Sequence, residues 1–559
     1  MRRTVGWWLV GLVAVTVAAA AGAADQGRPS RPRALLETWR PRIPTSPALE
    51  VPSPITRDAQ VQKVSLKEAI AIALENNPRL AARRLEPLRQ SEGILQAQGK
   101  FDPRLTGDLS YGRAETPSPS VLGGASSVIV EDRYANFHLI KVLRTGTQLS
   151  IDSTNERYDS NSSFYQLRPY YKPTLGLSVT QPLLRDFGWD FTYLVVRAAE
   201  QVADAAGFQW EADLADFVQE VVTAYWAVVG TREIVGVRRD AKALADKTVE
   251  ENRARVDVGL LPPVAVLEAQ ADAQSREAQV ISAENDFVVA RQRLAQLLLY
   301  SPEGTFVPRL VEPAEEALPE DVETNFDEAL AAALGGRPEI QASARGVEAQ
   351  QLNERIATNQ LLPRVDAVGT LGGNGLSGNR QCVRTSAGVL NCNNPFVGSV
   401  SDAYDRLNDF PNYAVGFKVE VPFVNAAADA QATQTRIARQ QAELNHRELL
   451  SKVTLDVAQS MADLTAARKN IDVTRTAREL AEENLRNQEK RHEVGMATTK
   501  DLLDFQVRLT NARAEQVRAV TGYAVAVDKW RHAQGALLRH YQIVVERPGQ
   551  RTVPWFARF

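Results

Sequence analysis

Several residue types that build common functional sites are scarce in this sequence of 559 residues. It has two cysteines, three methionines and five histidines, and two cysteines are too few for a disulfide-scaffolded fold or an all-cysteine zinc site. Lys and Arg total 65 against 68 Asp and Glu, giving a net charge of −3. This balance gives no electrostatic reason to expect nucleic-acid binding. No apolar run of about 18 residues follows the N-terminal one, so we expect no membrane-spanning helix in the mature chain.

Catalytic motifs are also missing. The stretch His492-Glu493-Val494-Gly495-Met496 starts like the zincin motif but ends in Met, so the second zinc ligand is absent. The stretch from Gly93 to Lys100 has the wrong spacing for a phosphate-binding loop, and no G-x-S-x-G motif occurs. We therefore predict no enzyme activity, no metal site and no cofactor.

The N-terminus predicts export from the cytoplasm. Arg2 and Arg3 precede a short apolar run, and small residues follow at positions 21–24. This pattern is typical of a secretory signal peptide over residues 1–24, although a membrane anchor is an alternative. Residues 25–61 contain seven prolines and predict an extended lead segment before the folded part.

The remaining chain is a duplicated unit. The phrase that starts at Leu66 recurs at Phe326, 260 residues later, and Val258-Gly259-Leu260 recurs as Val494-Gly495-Met496, 236 residues later. We predict a first repeat over 62–300, a linker over 301–323, a second repeat over 324–543 and a tail over 544–559. Each repeat is read as helix, strand, strand, long helix and helix.

The long helices are the strongest local signal. No Gly or Pro occurs between Ala426 and Val494, and apolar residues recur there at spacings of three and four. Such a helix would be about 100 Å long at ~1.5 Å per residue. The matching stretch, Thr192 to Val258, lacks Pro but contains three glycines.

The predicted strands alternate between apolar and polar residues, as in Tyr413-Ala414-Val415-Gly416-Phe417. Such a sheet fits a soluble core or a membrane wall around a wet lumen. Two strands per repeat give four per chain, which is too few to close a membrane barrel, so a membrane sheet requires an oligomer. Three chains would supply twelve strands. An extra hairpin around residues 135–153 is expected in or above the outer loop.

Together these features resemble the TolC-type outer-membrane efflux family over about residues 62–543. The resemblance rests on the signal peptide, the duplication, the opening phrase Leu66 to Pro78, and the paired Val-Gly turns. It also rests on the strand ends Gln181-Pro182-Leu183 and Val421-Pro422-Phe423. It implies a mainly α fold: a homotrimer with a twelve-stranded β-barrel in outer-membrane lipid and a long α-helical tunnel through the periplasm.

The resemblance also implies partners. The tunnel tip would meet a periplasmic adaptor protein and an inner-membrane pump, either an RND or an ABC transporter. The residues expected to contact the adaptor are Val258, Gly259, Leu260, Val494, Gly495 and Met496. The simpler reading of each Gly is an ordinary helix end.

Two aspartates follow the second turn. In the family, carboxylates at the positions of Asp501 and Asp504 face the lumen, where three copies would form a cation-attracting ring. The alternative is a solvated helix face. The family's gate latch is in doubt, because its positions hold His492, Ala497 and Ala265. We read His492 as an exposed bystander, with pH sensitivity as the alternative.

Cys382 and Cys392 lie in a loop between the strands of the second repeat. The barrel arrangement would put this loop outside the cell, where a disulfide is expected. Two free thiols are the alternative.

These inferences predict the passive exit duct of a tripartite efflux or type I secretion system, located in the outer membrane and reaching into the periplasm. The competing hypothesis is a soluble periplasmic coiled-coil scaffold. The sequence does not choose the cargo.

Overall fold

The computed structural model describes residues 62–119, 125–298, 311–315, 321–384 and 390–545. The predicted signal peptide and lead segment lie outside the described residues, as do parts of the predicted linker and tail.

The described ranges contain ten α-helices, four of them long. They are α1 Leu66–Asn76, α2 Pro78–Gln98, α3 Leu194–Asp257, α4 Val264–Leu298, α5 Phe326–Gly336, α6 Pro338–Asn359, α7 Val400–Asp405, α8 Ala426–Glu493, α9 Thr499–Ala533 and α10 Leu537–His540. Short 3₁₀ turns cover Gly99–Phe101 and Arg406–Asn408. None of the described helices has both the length and the apolar character needed to cross a membrane.

The strands of the same ranges fall into one large sheet and two small pairs. They are β1 Gln62–Val64, β2 Arg104–Pro117, β3 Ser127–Val142, β4 Gln148–Ser160, β5 Leu167–Pro182, β6 Val311–Pro313, β7 Arg364–Asn374, β8 Ser377–Arg380, β9 Val383–Arg384, β10 Leu390–Asn391 and β11 Pro411–Glu420. The small pairs are β1 with β6 and β9 with β10.

The break between the first two helices of each repeat comes from proline. Pro78 and Pro338 occupy the first turns of α2 and α6, and the residue before each is extended because a following Pro disfavours the helical conformation. Asn77 ends α1 and also caps α2, accepting hydrogen bonds from the backbone N–H groups of Arg79 and Leu80.

The two long helices predicted from the sequence are confirmed, at 64 residues for α3 and 68 for α8. The three glycines of α3 do not interrupt it. Gly230 has a packing role, because a Cβ there would lie 3.1 Å from the Oγ1 of Thr521 on α9. The glycine therefore permits a close approach of α3 and α9.

Buried aromatic residues lie at the centre of the helical packing in both repeats. Tyr225 of α3 is fully buried, and its hydroxyl donates to the carbonyl oxygen of Val64 on β1 at 3.1 Å. Trp530 of α9 is 2% exposed and packs in a cluster with Val453 and Val457 of α8. Burying side chains of this size is a main source of stability.

The large sheet has more strands than the sequence analysis predicted. Its order is β11-β7-β5-β4-β3-β2, all antiparallel, with the short β8 also paired to β5. The first repeat therefore contributes four long strands instead of two. The expected placement of the hairpin in or above the outer loop is wrong, because β3 and β4 lie inside the sheet between β2 and β5.

The turn between β3 and β4 is fixed against the start of α3. Gly146 has φ +86°, and a Cβ there would lie 2.6 Å from the carbonyl oxygen of Asp186. The guanidinium of Arg144 lies 4.6 Å from the ring centre of Tyr193, and Thr147 hydrogen-bonds to Gln181 of β5. These contacts attach the hairpin at the end of the sheet where the helices begin.

The sheet has two chemically different faces. On one face a row of six paired residues, one from each long strand, is apolar: Leu105, Leu139, Ile151, Leu177, Leu371 and Tyr413. On the other face the adjacent row is polar or glycine: Thr106, His138, Asp152, Gly176, Gly372 and Asn412. The predicted combination of long helices and a two-faced sheet is confirmed.

A short helix covers part of the apolar-row face at the end of the sheet away from the long helices. The hydroxyl of Tyr404 on α7 bonds to Asn155 of β4. A Cβ at Gly375 would collide with the backbone carbonyl of Ala403. The row through Ile151 and Leu177 lies nearer the long helices, and both side chains are exposed.

Candidate functional site

The two Val-Gly turns have the same backbone structure. In the first, the N–H of Gly259 bonds to the carbonyl of Val256 and that of Leu260 to Arg255. In the second, Gly495 bonds to His492 and Met496 to Arg491. Both are Schellman motifs, which end a helix with one residue in the left-handed conformation. The φ angles of Gly259 and Gly495 are +79° and +77°.

The turns expose apolar side chains. Val258 and Leu260 are 70% and 74% exposed, and Val494 and Met496 are 68% and 73% exposed. Ending a helix in this way requires only the glycine. The exposed apolar residues on either side of it, which occur in both turns, are therefore not explained by the turn itself. Contiguous exposed apolar groups are typical of surfaces that bind a partner.

The packing behind the turns is also duplicated. Four positions of the α3–α4 cluster, Ala245, Val249, Ala269 and Ala273, correspond at a spacing of 236 residues to Ala481, Leu485, Phe505 and Leu509 of the α8–α9 cluster. The first cluster uses mainly alanine and the second uses larger side chains. The α3–α4 pair is therefore stabilised by close approach of small side chains, and the α8–α9 pair by contacts between larger ones.

A buried histidine links the two turns. The Nη1 of Arg255 donates to the Nε2 of His492 at 3.1 Å, and the Nδ1 of His492 lies 3.1 Å from the carbonyl oxygen of Ala497. Because Arg only donates and a carbonyl only accepts, Nδ1 carries the proton and Nε2 accepts. The expectation that His492 is an exposed bystander is wrong, since it is 8% exposed and both ring nitrogens are bonded.

The first turn has its own buried polar contact. Ala265, one of the expected latch positions, is buried, and its carbonyl oxygen accepts from the Nδ2 of Asn252 at 3.2 Å. Asn252 is 1% exposed and was not identified from the sequence. The signal was available, because the matching position 236 residues later holds Gln488, another buried amide.

Asp501 and Asp504 both lie on the exposed side of α9, above the buried Leu502 and Leu503. The carboxylate of Asp501 accepts from the hydroxyl of Thr498 at 2.7 Å and from its N–H at 3.0 Å, closing a capping box at the start of the helix. These hydrogen bonds from Thr498 lower the pKa of Asp501. Asp501 therefore caps the helix and presents a negative charge.

The two helix pairs that carry the turns are also joined by a buried arginine, more than ten residues along the helices from the turns. Arg276 of α4 is 3% exposed; its Nε bonds to Asp272 at 3.1 Å, and its Nη1 donates to the Oγ1 of Thr510 on α9 at 3.3 Å. This contact could not be predicted from the sequence, because an Arg in a helix of mixed polarity gives no sign of burial. It connects the first repeat to the second.

The cysteine pair is far from the turns in sequence. A disulfide joins Cys382 and Cys392, whose Cα atoms are 4.2 Å apart. In the described ranges no three His, Cys, Asp or Glu side chains come together as a metal-binding group.

Comparison with known sequences gives one family. A sequence profile described as outer membrane efflux protein matches residues 69–298 and 329–536, one segment in each half of the chain. The outer membrane efflux protein BepC of Brucella suis biovar 1 (strain 1330) is 23% identical over 469 residues, covering 82% of this chain and 84% of BepC. The outer membrane protein TolC of Escherichia coli (strain K12) is 24% identical over 375 residues, covering 65% of this chain and 69% of TolC.

Comparison with solved structures gives the same fold. The outer membrane protein VceC of Vibrio cholerae superposes with a TM-score of 0.59 at 20% identity, covering 84% of this chain and 96% of VceC. The CmeC outer membrane channel of Campylobacter jejuni superposes with a TM-score of 0.58 at 16% identity, covering 84% and 86%.

Proposed function

Because this chain belongs to the outer membrane efflux protein family, we propose that it is the exit duct of a tripartite efflux or type I secretion system. Members of this family are outer-membrane channels and not enzymes. The duct conducts passively, and an inner-membrane pump supplies the energy. The observation that carries the proposal is a two-faced sheet joined directly to helices about 100 Å long at ~1.5 Å per residue.

The sheet forms the part of the duct that lies in the membrane. Its end strands, β2 and β11, are exposed along nearly their whole length, and each pairs with one strand within the described residues. Open strand edges are not tolerated in lipid. Six alternating strands leave β2 and β11 antiparallel, so β2 of one copy can pair with β11 of the next and close a ring by rotation.

Three copies complete this ring in the proposal, as the resemblance implies for the family. The long helices then form a tunnel through the periplasm, and the two Val-Gly turns lie at its tip. Their exposed apolar side chains suit contact with a periplasmic adaptor protein, which couples the duct to an RND or ABC transporter. The similar backbone of the two turns supports adaptor contact at both.

Asp501 and Asp504 would line the mouth of the tunnel. Both carboxylates are exposed on one side of α9, and three copies would bring six of them together. A ring of carboxylates attracts cations and selects by charge. The disulfide between Cys382 and Cys392 would close a loop outside the cell, in an oxidising compartment.

Membrane fractionation combined with gel analysis tests the duct against the periplasmic scaffold. The mature protein should sediment with the outer membrane and migrate as a trimer in detergent without heating. Recovery in the soluble periplasmic fraction, with full solubility in the absence of detergent, would contradict the duct and support the scaffold.

A further inference from the structure

We propose that the β3–β4 hairpin is a lipid-facing part of the barrel wall, so that each chain supplies six strands and three copies form an eighteen-stranded barrel. This inference rests on the proposed function, because it needs the sheet to lie in the membrane. It changes the expected twelve-stranded barrel, which came from counting two strands per repeat.

In one apolar row and the polar row beside it, the hairpin continues the two faces of the sheet. Farther from the long helices, the face of Ile151 is polar on β4, at Ser153 and Asn155. Leu139 of β3 and Ile151 of β4 stand in the apolar row between Leu105 and Leu177. His138 and Asp152 stand in the adjacent polar row. A hairpin folded outside the wall would not need to keep this pattern in register with its neighbours, since a slip of one residue exchanges the two faces.

Polar contacts on one face tie the hairpin to its neighbours. The Nδ1 of His138 lies 2.8 Å from Asp152, and the Oγ atoms of Ser150 and Ser178 are 2.7 Å apart. These hydrogen bonds join β3 to β4 and β4 to β5 on the face opposite Ile151. At the rows through Ile151 and Asp152 they match a wall that is wet on this face and apolar on the other.

The strands of the hairpin are long enough for a membrane wall. β3 has 16 residues and β4 has 13, while a tilted membrane strand needs about 9–11. The side chain of Ile151 is 36% exposed and that of Leu177 is 43% exposed. Helix α7 contacts Asn155 farther along β4, but no described element covers the side chains of Ile151 and Leu177. Lipid is therefore the occupant that suits this apolar row.

The hairpin adds strands without adding helices. β2 follows α2 and β5 precedes α3, but β3 and β4 are joined by a turn over residues 143–147. The wall therefore gains two strands per chain where the tunnel gains none. Barrel diameter grows roughly in proportion to strand number, so the barrel would be about 1.5 times as wide as one with twelve strands.

This width has a functional consequence. Barrels of about 16–18 strands enclose an aqueous channel. The helical tunnel, and not the barrel, would then limit the size of the cargo. A large hydrophilic cargo that passes the tunnel tip would meet no narrower point in the outer membrane.

Paired cysteine variants test the position of the hairpin. In full-length protein carrying Cys382→Ser and Cys392→Ser, single cysteines are introduced as Ile151→Cys and Asp152→Cys on β4. Leu177→Cys and Gly176→Cys are the matched controls on β5, because Ile151 pairs with Leu177 and Asp152 with Gly176. Each variant is labelled with bimane in proteoliposomes that contain lipids with nitroxide-labelled chains, and separately with a water-soluble maleimide.

The inference predicts that bimane at 151 is quenched by lipid as strongly as at 177. It also predicts that maleimide reacts at least ten times faster at 152 and 176 than at 151 and 177. Quenching at 177 with free maleimide reaction at 151 would overturn the inference and leave the duct intact. Absence of quenching at both 151 and 177 would contradict the duct itself.

A second measurement does not depend on labelling. Neutral polymers of increasing size are added to the outer side of single channels, and the largest polymer that enters the barrel is determined for the wild type and for a deletion of residues 126–161. The excluded size should fall about 1.5-fold in a deletion variant that still forms trimers. An unchanged size in such a variant would overturn the inference. If the deletion variant does not assemble, electron cryomicroscopy of the wild type decides, and twelve strands would overturn it.

Discussion

Arg255 and His492 join the last turns of α3 and α8, the corresponding long helices of the two repeats. The Nη1 of Arg255 donates to the Nε2 of His492 at 3.1 Å, while the Nδ1 of His492 bonds to the carbonyl of Ala497. One side chain therefore links the first turn to the second and also fixes the backbone after the second. The positions that the resemblance assigns to a gate latch hold His492, Ala497 and Ala265 in this chain.

We expect His492→Phe to loosen both turns, since it keeps a ring but removes both hydrogen bonds. A net hydrogen bond contributes about 0.5–1.5 kcal/mol, so amide exchange should rise about 2- to 10-fold in the peptides around Gly259 and Gly495. Hydrogen exchange by mass spectrometry measures this. His446→Phe is the control, because His446 bonds to Ser343 elsewhere on the helices.

A double variant checks that the link itself is responsible. Arg255→Leu should accelerate exchange in the same peptides, and adding it to His492→Phe should have little further effect at the first turn. Faster exchange confined to the second turn, with fully additive effects, would show that the two turns are independent.

Gly495→Ala should destabilise the second turn through the backbone alone. The φ of Gly495 is +77°, and a Cβ there would meet nothing within 4 Å, so crowding is excluded. The left-handed conformation costs a residue with a Cβ roughly 1–2 kcal/mol, and Gly495→Asn should cost less. Gly207→Ala is the control, because Gly207 lies within helix α3, also has free space around it, and should gain up to about 1 kcal/mol. Hydrogen exchange in the peptides around Gly495 measures the effect, and equal amide exchange in Gly495→Ala and the wild type would contradict a backbone origin.

Replacing Asp501 or Asp504 by Asn should change cation selectivity in the same direction, but only the Asp501 variant should also change the start of helix α9. Asp501→Asn and Asp504→Asn each remove a charge, so each should reduce cation selectivity if both carboxylates face the lumen. Only Asp501 bonds to Thr498, so only Asp501→Asn should also change exchange in the first turn of α9. Reversal potentials in asymmetric salt and hydrogen exchange measure the two effects. Unchanged selectivity in both variants would leave Asp501 as a helix cap only.

The same hydrogen bonds predict a pH dependence at the start of α9. They lower the pKa of Asp501 below its ordinary value, so the stabilisation is fully present above the ordinary aspartate pKa of about 3.9. It is lost as the pH falls through the lowered value. Protection of this helical turn should therefore decrease only in strongly acidic solution, and Thr498→Val should abolish that decrease. A loss of protection between pH 7 and pH 5 that depends on Asp501 would contradict the assignment.

The disulfide should be present in protein taken from the outer membrane. Peptide mapping without reduction should recover Cys382 and Cys392 in one linked pair, and reduction should separate them. Because the pair lies in the segment between β7 and β11, at the end of the sheet away from the long helices, Cys382→Ser with Cys392→Ser should leave the conductance unchanged. Recovery of two alkylated free thiols from unreduced protein would contradict the pairing.

The sequence predicts the helical part of the fold well because its signals are local. The absence of proline and the regular apolar spacing define α3 and α8 almost to the residue. The repeated Val-Gly phrase likewise gives both Schellman turns.

The strand count and the polar contacts depend on pairing between distant residues and were harder to predict. The segment from Ser127 to Val142 includes Glu131, Asp132 and Arg133, which resemble a loop until β2 and β4 are seen beside it. The polar sequence around His492 suggests an exposed side chain. His492 is nevertheless buried, because the tertiary structure brings Arg255 into contact with it. Asn252 and Gln488 could have been found, because the repeat register places two amides at one position.

Single-channel recording of the purified wild-type protein in planar bilayers tests the central claim most directly. An exit duct should give stable, water-filled channels that favour cations and are formed by trimers of the full chain. A folded, trimeric preparation that never conducts would contradict the duct, and the long helices would then serve a periplasmic scaffold.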